Sequence, residues 1–209
     1  MAEYSSAKEF VNAVIARYRA MANYADTGYV KVRLGTKDHV IHFQTALGEG
    51  GDFRFSFDRP HPYPPLRHLV TRNVVGRCGG RSYSSCSRPD GRNSVVLRDD
   101  FGLAIAGATG ISGGAVHSIA RLLFEEVRGW SFADLKRPRL RSPKEIDGVS
   151  CYRVTGLQKR HQVTLFVGVH DLIIRKIAYH RFKSDEVRLN IDTHTVHAPE
   201  HFHVPRAEA

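Results

Sequence analysis

The segment QVTLFVGVHDLIIRKIAYHRF, residues 162–182, decides the fold class of this protein. Apolar and polar residues alternate along 162–169 and again along 171–182, which is the pattern of half-buried β-strands. Only a short turn around His170 separates the two predicted strands. A parallel pair would need a crossover of a dozen or more residues, so the two strands are predicted to form an antiparallel hairpin.

Further strand patterns lie on both sides of this hairpin. Residues 52–57 place Phe53, Phe55 and Phe57 on one face of a predicted strand, because side chains alternate between the two faces. Four prolines within 59–65 predict a loop after it, since proline lacks the N–H that a sheet ladder requires. The remaining predicted strands are 27–35, 39–47, 66–72, 81–86, 94–98, 150–156 and 187–196.

Two helical regions are predicted, one before the first strand and one between two groups of strands. Apolar residues recur at helical spacing over 5–24, and Ser6 with Glu9 fits an N-terminal capping box. A second helical region runs from Asp99 to about Val127. This order of helix, strands, helical insert and strands predicts an α+β fold built on an antiparallel sheet. No break in composition divides the chain, so 1–209 is predicted to form a single domain.

The chain is basic, with 31 Lys and Arg residues against 21 Asp and Glu residues and a formal net charge of +10. Such a charge is compatible with a nucleic acid or with an anionic membrane surface. The sequence has no zinc-finger spacing, no aromatic–basic RNA-binding signature and no dense block of Lys and Arg. We therefore expect a generally basic surface and no nucleic-acid partner. No apolar run approaches the roughly 20 residues of a membrane-spanning helix.

The three cysteines do not form a C-x-x-C pair, so a structural zinc site is not expected. Cys78 and Cys86 flank GGRSYSS and could face each other across a hairpin, where they would form a disulfide in an oxidising compartment. Three free thiols, including Cys151, are the equal alternative.

Four histidines lie within ten residues near the C-terminus: His194, His197, His201 and His203. Residues two apart share one face of a strand, so the last two could converge on a metal ion. Pro199 interrupts this pattern, and no H-E-x-x-H helix accompanies it. We predict no metal site and no cofactor.

Residues 110–114, GISGG, match the G-x-S-x-G pattern of the nucleophile elbow in serine hydrolases. Ser112, Asp171 and either His194 or His197 follow one another in the chain order of such a triad. Catalysis by Ser112 is therefore one hypothesis for this segment.

The surroundings of this serine favour a structural role. A nucleophile elbow follows a buried strand in a mainly parallel sheet. Residues 101–108 are alanine-rich, so this segment is at least as consistent with a helix as with a strand. In the plainer interpretation, Thr109 or Ser112 caps the second helix of the insert, and the glycines form the turn between two helices.

A series of short motifs runs through nearly the whole chain. They are Tyr24-x-Asp26-x-Gly28, FQTA (43–46), FRF (53–55), LAIAGATGISGGAVHSIARLL (103–123), GWSFADL (129–135), DGVSCYRVTG (147–156), DLIIRKI (171–177) and PEHFHVP (199–205). In this order they resemble the LolA/LolB-like lipoprotein-carrier superfamily, in particular its branch of predicted outer-membrane lipoprotein-sorting proteins.

The resemblance implies an antiparallel sheet curled into an incomplete β-barrel, with a long N-terminal helix and a helical lid insert at 99–127 over its open, apolar side. It makes ATGISGG (108–114) the turn between the lid helices. The carrier proper has Arg-Pro before its F-x-W/F strand, and the arginine is thought to hold the lid shut. LGEGG (47–51) contains neither residue, so that device is not expected here.

The implied function is non-enzymatic binding of an acyl chain or another apolar ligand, by a lipid or lipoprotein carrier or sensor of the cell envelope. An envelope or periplasmic location is implied too, although MAEYSSAKEF is not a secretory signal as written. The alternatives are a hydrolase of esters or lactones that uses Ser112, and an interaction module whose cup binds a partner protein. The expected ligand-binding residues are Phe53, Phe55, Phe57, Leu165, Val167, Ile174 and Ile177.

Overall fold

The structure is a computed structural model and describes residues 4–34, 37–61 and 63–205. Its helices are α1 (Ala7–Arg19), α2 (Phe101–Thr109) and α3 (Ala115–Leu123). Short 3₁₀ helices lie at Glu49–Gly51, Pro64–Leu66, Phe132–Asp134 and Pro199–Phe202. The strands are β1 (Tyr24–Leu34), β2 (Lys37–Leu47), β3 (Phe53–Pro60), β4 (Val70–Cys78), β5 (Arg81–Ser87), β6 (Asn93–Arg98), β7 (Lys136–Ile146), β8 (Val149–Gln158), β9 (His161–Gly168), β10 (Ile174–Tyr179) and β11 (Ser184–Asp192).

The described strands form one antiparallel sheet in the order β6-β5-β4-β3-β2-β1-β11-β10-β9-β8-β7. Strands that follow each other in sequence pair with each other, and β1 also pairs with β11, which joins the two halves of the chain. Val30 lies opposite Glu186 in this central pair, and Gly28 lies opposite Arg188. Since β6 and β7 do not pair within the described residues, the sheet stays open. The predicted α+β fold with an incomplete β-barrel is confirmed.

The three helices cover one face of this sheet, and apolar side chains of the helices and strands form the core between them. Phe53 of β3 packs edge-to-face on Phe101 of α2 and on Phe124, with ring centroids 5.6 and 5.4 Å apart. From α1, Phe10 and Tyr18 are fully buried in the same cluster. None of the helices in the described ranges is both long enough and apolar enough to cross a membrane.

The N-terminal helix is shorter than its predicted range of 5–24, because the chain turns into β1 at Tyr24. Ser6 is the N-cap, and its Oγ accepts a hydrogen bond from Glu9 N at 3.1 Å. The Glu9 carboxylate instead accepts from Ser5 N at 2.9 Å. Only the serine half of the predicted capping box therefore forms with Ser6.

The cysteines distinguish between the two alternatives that their sequence positions leave open. Cys78 of β4 lies opposite Arg81, and Cys86 of β5 lies opposite Asn73, because the hairpin turns immediately after Cys78. The two thiols therefore do not face each other across the hairpin. Cys78, Cys86 and Cys151 are all free thiols, which is the second alternative.

Candidate functional site

A cavity of about 860 Å³ opens at one end of the cup, between the strand ends and the turn that joins α2 to α3. We name it the mouth cavity. Its volume lies within the roughly 300–1,000 Å³ of small-molecule sites in proteins. The apolar part of its wall consists of Val32, Val40, Ile41, Ile111, Trp130, Tyr179 and Phe182.

The turn between α2 and α3 forms one side of the mouth cavity, and two glycines allow its shape. Gly113 and Gly114 have φ angles of 66° and 95°, in the left-handed region where a Cβ atom is unfavourable. A Cβ on Gly113 would also lie 2.9 Å from a methyl carbon of Val30. The glycines form the turn between the two helices, as the sequence predicts, and they also let this turn pack closely against β1.

Ser112 is a buried residue of this turn, with 1% of its surface exposed. Its Oγ donates to the Thr109 carbonyl at 3.1 Å and accepts from Val116 N at 3.5 Å. Gly114 is the N-cap residue of α3, so the expected cap by Thr109 or Ser112 is corrected, although Ser112 still reaches the first turn of the helix.

The other members of the hypothetical triad have different contacts. Asp171 accepts from Ile173 N at 3.0 Å and pairs with Arg175 in the turn before β10. His194 donates its backbone N–H to Asp192 at 2.7 Å. Within the described part of the chain, Ser112 has no hydrogen bond to a histidine or a carboxylate. The hydrolase alternative gains no geometric support.

A buried polar cluster lies behind the wall of the mouth cavity. Arg188 Nη1 lies 2.5 Å from Asp26 Oδ2, and its Nη2 contacts Glu186 Oε1. Ser118 of α3, which also lines the cavity, donates to Glu186 Oε2 at 2.6 Å. The cluster therefore joins the two central strands to the helix above them.

Burial and charge act in opposite directions on the groups of this cluster. Burial raises the pKa of Glu186, while the nearby Arg188 guanidinium opposes this rise. Burial alone would lower the pKa of Arg188, but Asp26 and Glu186 hold it well above its usual value. The arginine therefore stays charged between its two carboxyl partners.

Two tyrosines extend the cluster away from the cavity. Tyr24 OH donates to Asp26 Oδ2 at 2.6 Å, and Tyr18 OH accepts from Ile174 N at 3.1 Å. Burial raises the pKa of Tyr24 and raises that of Tyr18 to about 12. The sequence predictions do not include this cluster, and its one sequence signal is that Glu186 and Arg188 have opposite charges and share one face of a strand.

The residues expected to bind the ligand lie deeper in the molecule than the mouth cavity. Each belongs to the apolar cluster beneath the helices and is at most 2% exposed. Phe55 stacks on Phe43 at 5.3 Å and packs against Phe57 at 5.9 Å. None of the seven lines the mouth cavity, and their contact with a ligand stays a prediction.

The histidine-rich C-terminal segment packs on the outer face of the sheet. The rings of His197 and His201 stack with centroids 4.9 Å apart, and Phe202 is buried beside them. Tyr83 OH donates to the Phe202 carbonyl at 3.1 Å. Across the described ranges, no three His, Cys, Asp or Glu side chains are placed to hold a metal ion.

No protein-family model and no curated protein sequence matches the chain. Solved structures share its fold at low identity. LprF from Mycobacterium bovis superposes with a TM-score of 0.54 at 11% identity, over 97% of this chain and 97% of that chain. A chain of the Pseudomonas aeruginosa MucA/MucB complex superposes with a TM-score of 0.54 at 11% identity, over 95% of this chain and 61% of that chain.

A LolA superfamily protein from Nitrosomonas europaea superposes more weakly, with a TM-score of 0.35 at 8% identity, over 96% of this chain and 98% of that chain. At such identities a likeness concerns the fold alone. The open antiparallel sheet and the helices on one face of it are the architecture that the motifs imply. The protein therefore shares the fold of LprF, and this is the fold that the resemblance of its motifs to the LolA/LolB-like superfamily implies.

Proposed function

We propose that this protein binds the acyl chain of a lipid or lipoprotein in its mouth cavity, without catalysing a reaction, as a carrier or sensor of the cell envelope. The observation that carries this proposal is the apolar cavity of about 860 Å³ at the open end of the cup. A chain of methylene groups matches a wall built from Val40, Ile41 and Ile111. The envelope location is supported by the resemblance of the motifs and belongs to the proposal.

The free energy of binding favours a long acyl chain over a short one. Burial stabilises by about 0.8 kcal/mol for each CH₂ group, so ten buried groups contribute about 8 kcal/mol. Association costs an estimated 4–15 kcal/mol, because the ligand and the protein lose translational and rotational freedom relative to each other. Short chains would therefore bind weakly, and a long chain bound partly within the cavity and partly along its rim would bind usefully.

An anionic membrane surface is the second partner that we propose, because the edge strand β7 carries strong positive charge. Its five cations are exposed, and none of them forms an ion pair with another described residue. They are Lys136, Arg137, Arg139, Arg141 and Lys144. Each cation near an anionic bilayer contributes about 1 kcal/mol to binding, so this strand would hold the protein at the membrane where its ligand resides.

The test of ligand binding uses two tryptophan substitutions in the lid. Ile111→Trp fills the mouth cavity, whereas Leu103→Trp adds the same side chain on the outer face of α2, where Leu103 is 61% exposed. Each variant is titrated with radiolabelled palmitate, and organic extracts of the purified proteins are examined by mass spectrometry.

We expect Ile111→Trp to lower palmitate affinity at least tenfold and Leu103→Trp to leave it unchanged. Equal binding by both variants would move the ligand away from the mouth cavity. No binding by the unsubstituted protein, together with an extract free of acyl lipid, would refute the proposed function.

A further inference from the structure

We infer that the ligand of the mouth cavity is an anionic amphiphile, whose carboxylate or phosphate group lies beside Arg59 and Arg67. This inference rests on the proposed function and adds the chemical class of the headgroup. It follows from the distribution of charge around the rim and from the ion pairs that the neighbouring carboxylates already form within the chain.

The rim of the cavity has one apolar part and one positively charged part. Tyr179, Phe182 and Trp130 make one part of the wall apolar or aromatic, while Arg59 and Arg67 bring two permanent positive charges to another. Arg67 is half-buried. A guanidinium in a cavity wall forms strong, charge-assisted hydrogen bonds with a carboxylate or phosphate oxygen.

No acidic residue in the described ranges supplies that acceptor, because neither arginine forms an ion pair there. Asp58 precedes Arg59, but it points to the other face of β3 and binds Arg72 with its two oxygens at 3.0 and 3.3 Å. Arg59 and Arg67 are therefore free to bind an anion from outside the chain.

Asp38 is the one acidic side chain among the described residues of the cavity wall, and it already pairs with two cations of the chain. Asp38 lies 2.8 Å from Lys31 Nζ and 3.2 Å from Arg33 Nε. Its hydrogen bond with Lys31, and then that with Arg33, hold the pKa of the Asp38 carboxyl below its usual value. Asp38 therefore stays ionised in these pairs, and the cavity rim keeps a net positive charge.

The experiment compares three ligands with one palmitoyl chain each: palmitate, palmitoyl lysophosphatidic acid and neutral monopalmitoylglycerol. Affinities are measured below the critical micelle concentration for the unsubstituted protein and for Arg59→Gln/Arg67→Gln. The control variant is Arg88→Gln/Arg98→Gln, which removes the same charge at two exposed positions that do not line the cavity. Thermal unfolding confirms that each variant is folded.

Charge-assisted hydrogen bonds are about twice as strong as neutral ones, so we expect at least one anionic ligand to bind about tenfold tighter than the neutral one. This preference should disappear in Arg59→Gln/Arg67→Gln and persist in the Arg88→Gln/Arg98→Gln control. A preference for palmitate alone identifies a carboxylate site, and one for lysophosphatidic acid alone identifies a phosphate site.

Equal affinity of the unsubstituted protein for all three ligands would overturn the headgroup inference and leave the proposed function standing. A folded Arg59→Gln/Arg67→Gln variant that loses all three ligands equally would overturn it too, because the arginines would then shape the cavity. Absence of binding for every ligand would refute the proposed function itself.

Discussion

Arg188 of β11 binds Asp26 of β1 with 2.5 Å between Nη1 and Oδ2, and their side chains are 1% and 0% exposed. The same guanidinium contacts Glu186, whose other oxygen accepts from Ser118 of α3. These contacts lie at the centre of the sheet, where the strands that come first and last in the chain pair with each other. The cluster therefore fixes the register of β1 against β11 and the position of α3 above them.

We predict that Arg188→Met lowers the free energy of unfolding by about 3–5 kcal/mol, because it leaves two buried carboxyl groups without their cation. Denaturation with urea measures this change. The matched control is Arg72→Met, which breaks an exposed pair with Asp58 and should cost about 0–1 kcal/mol. Similar losses for the two variants would show that the buried cluster is no more important than a surface ion pair.

Replacing the whole cluster should restore much of the stability. In Asp26→Asn/Glu186→Gln/Arg188→Met no charge remains buried, and neutral amides keep some of the hydrogen bonds. We expect this triple variant to unfold at a higher urea concentration than Arg188→Met alone. A further loss of stability would mean that the two carboxyl groups stabilise the fold through their hydrogen bonds with Tyr24 and Ser118 even without the arginine.

Gly28 of β1 offers a test of the close packing beside this cluster. A Cβ at this position would meet the backbone oxygen of Val187 and the ring of Phe43. We predict that Gly28→Ala destabilises the protein by about 1–3 kcal/mol. Gly107→Ala is the control: a Cβ there has no neighbour within 4 Å, and alanine in helix α2 should stabilise by about 0.5–1 kcal/mol.

The buried tyrosines predict a loss of stability in alkaline solution. Burial raises the pKa of Tyr18 to about 12, whereas an unfolded tyrosine ionises near pH 10. The unfolded state therefore releases its proton first, and the stabilisation is present below about pH 10 and lost as the pH rises through about 12. For Tyr18 this loss amounts to roughly 2–3 kcal/mol.

Urea denaturation from neutral to alkaline pH measures this effect. Tyr18→Phe should show a shallower decline of stability above about pH 10 than the unsubstituted protein. Tyr63→Phe is the control, since Tyr63 is 60% exposed and its substitution should not alter the decline. A decline that is identical in all three proteins would assign the alkaline sensitivity to other groups.

The charge of β7 predicts adsorption to anionic membranes. Arg139→Gln/Arg141→Gln should weaken binding to phosphatidylglycerol-containing vesicles by about 2 kcal/mol, or roughly thirtyfold, since each cation contributes about 1 kcal/mol. Co-sedimentation with vesicles at low salt measures this affinity. The control is Arg88→Gln/Arg98→Gln near the opposite sheet edge, and a comparable loss there would show that net charge, and not β7, governs adsorption.

Most elements of the sheet could be predicted from local patterns. Alternation identified β9 and β10, and the short turn between them required antiparallel pairing. Phe53, Phe55 and Phe57 do lie on one buried face of β3, since a strand exposes every second residue to the same side. These features depend on neighbours in sequence, which a linear pattern records.

Strand β7 was not predicted, and its sequence explains why. KRPRLRSPKEI contains two prolines and no apolar alternation, and its pairing with β8 shifts register twice. An edge strand that does not bury a face needs neither a regular pattern nor all of its N–H groups. Only its pairing with β8 makes it a strand.

The candidate site also depended on contacts between distant parts of the chain. Composition and motif order alone were enough to imply a basic protein with a cup-shaped antiparallel sheet. The tertiary structure decided that the predicted phenylalanine face is filled by helices, that the open space lies at the mouth, and that Asp26 meets Arg188. Alternation specifies which residues share a face, but the partner that covers this face is set by packing across the whole sheet.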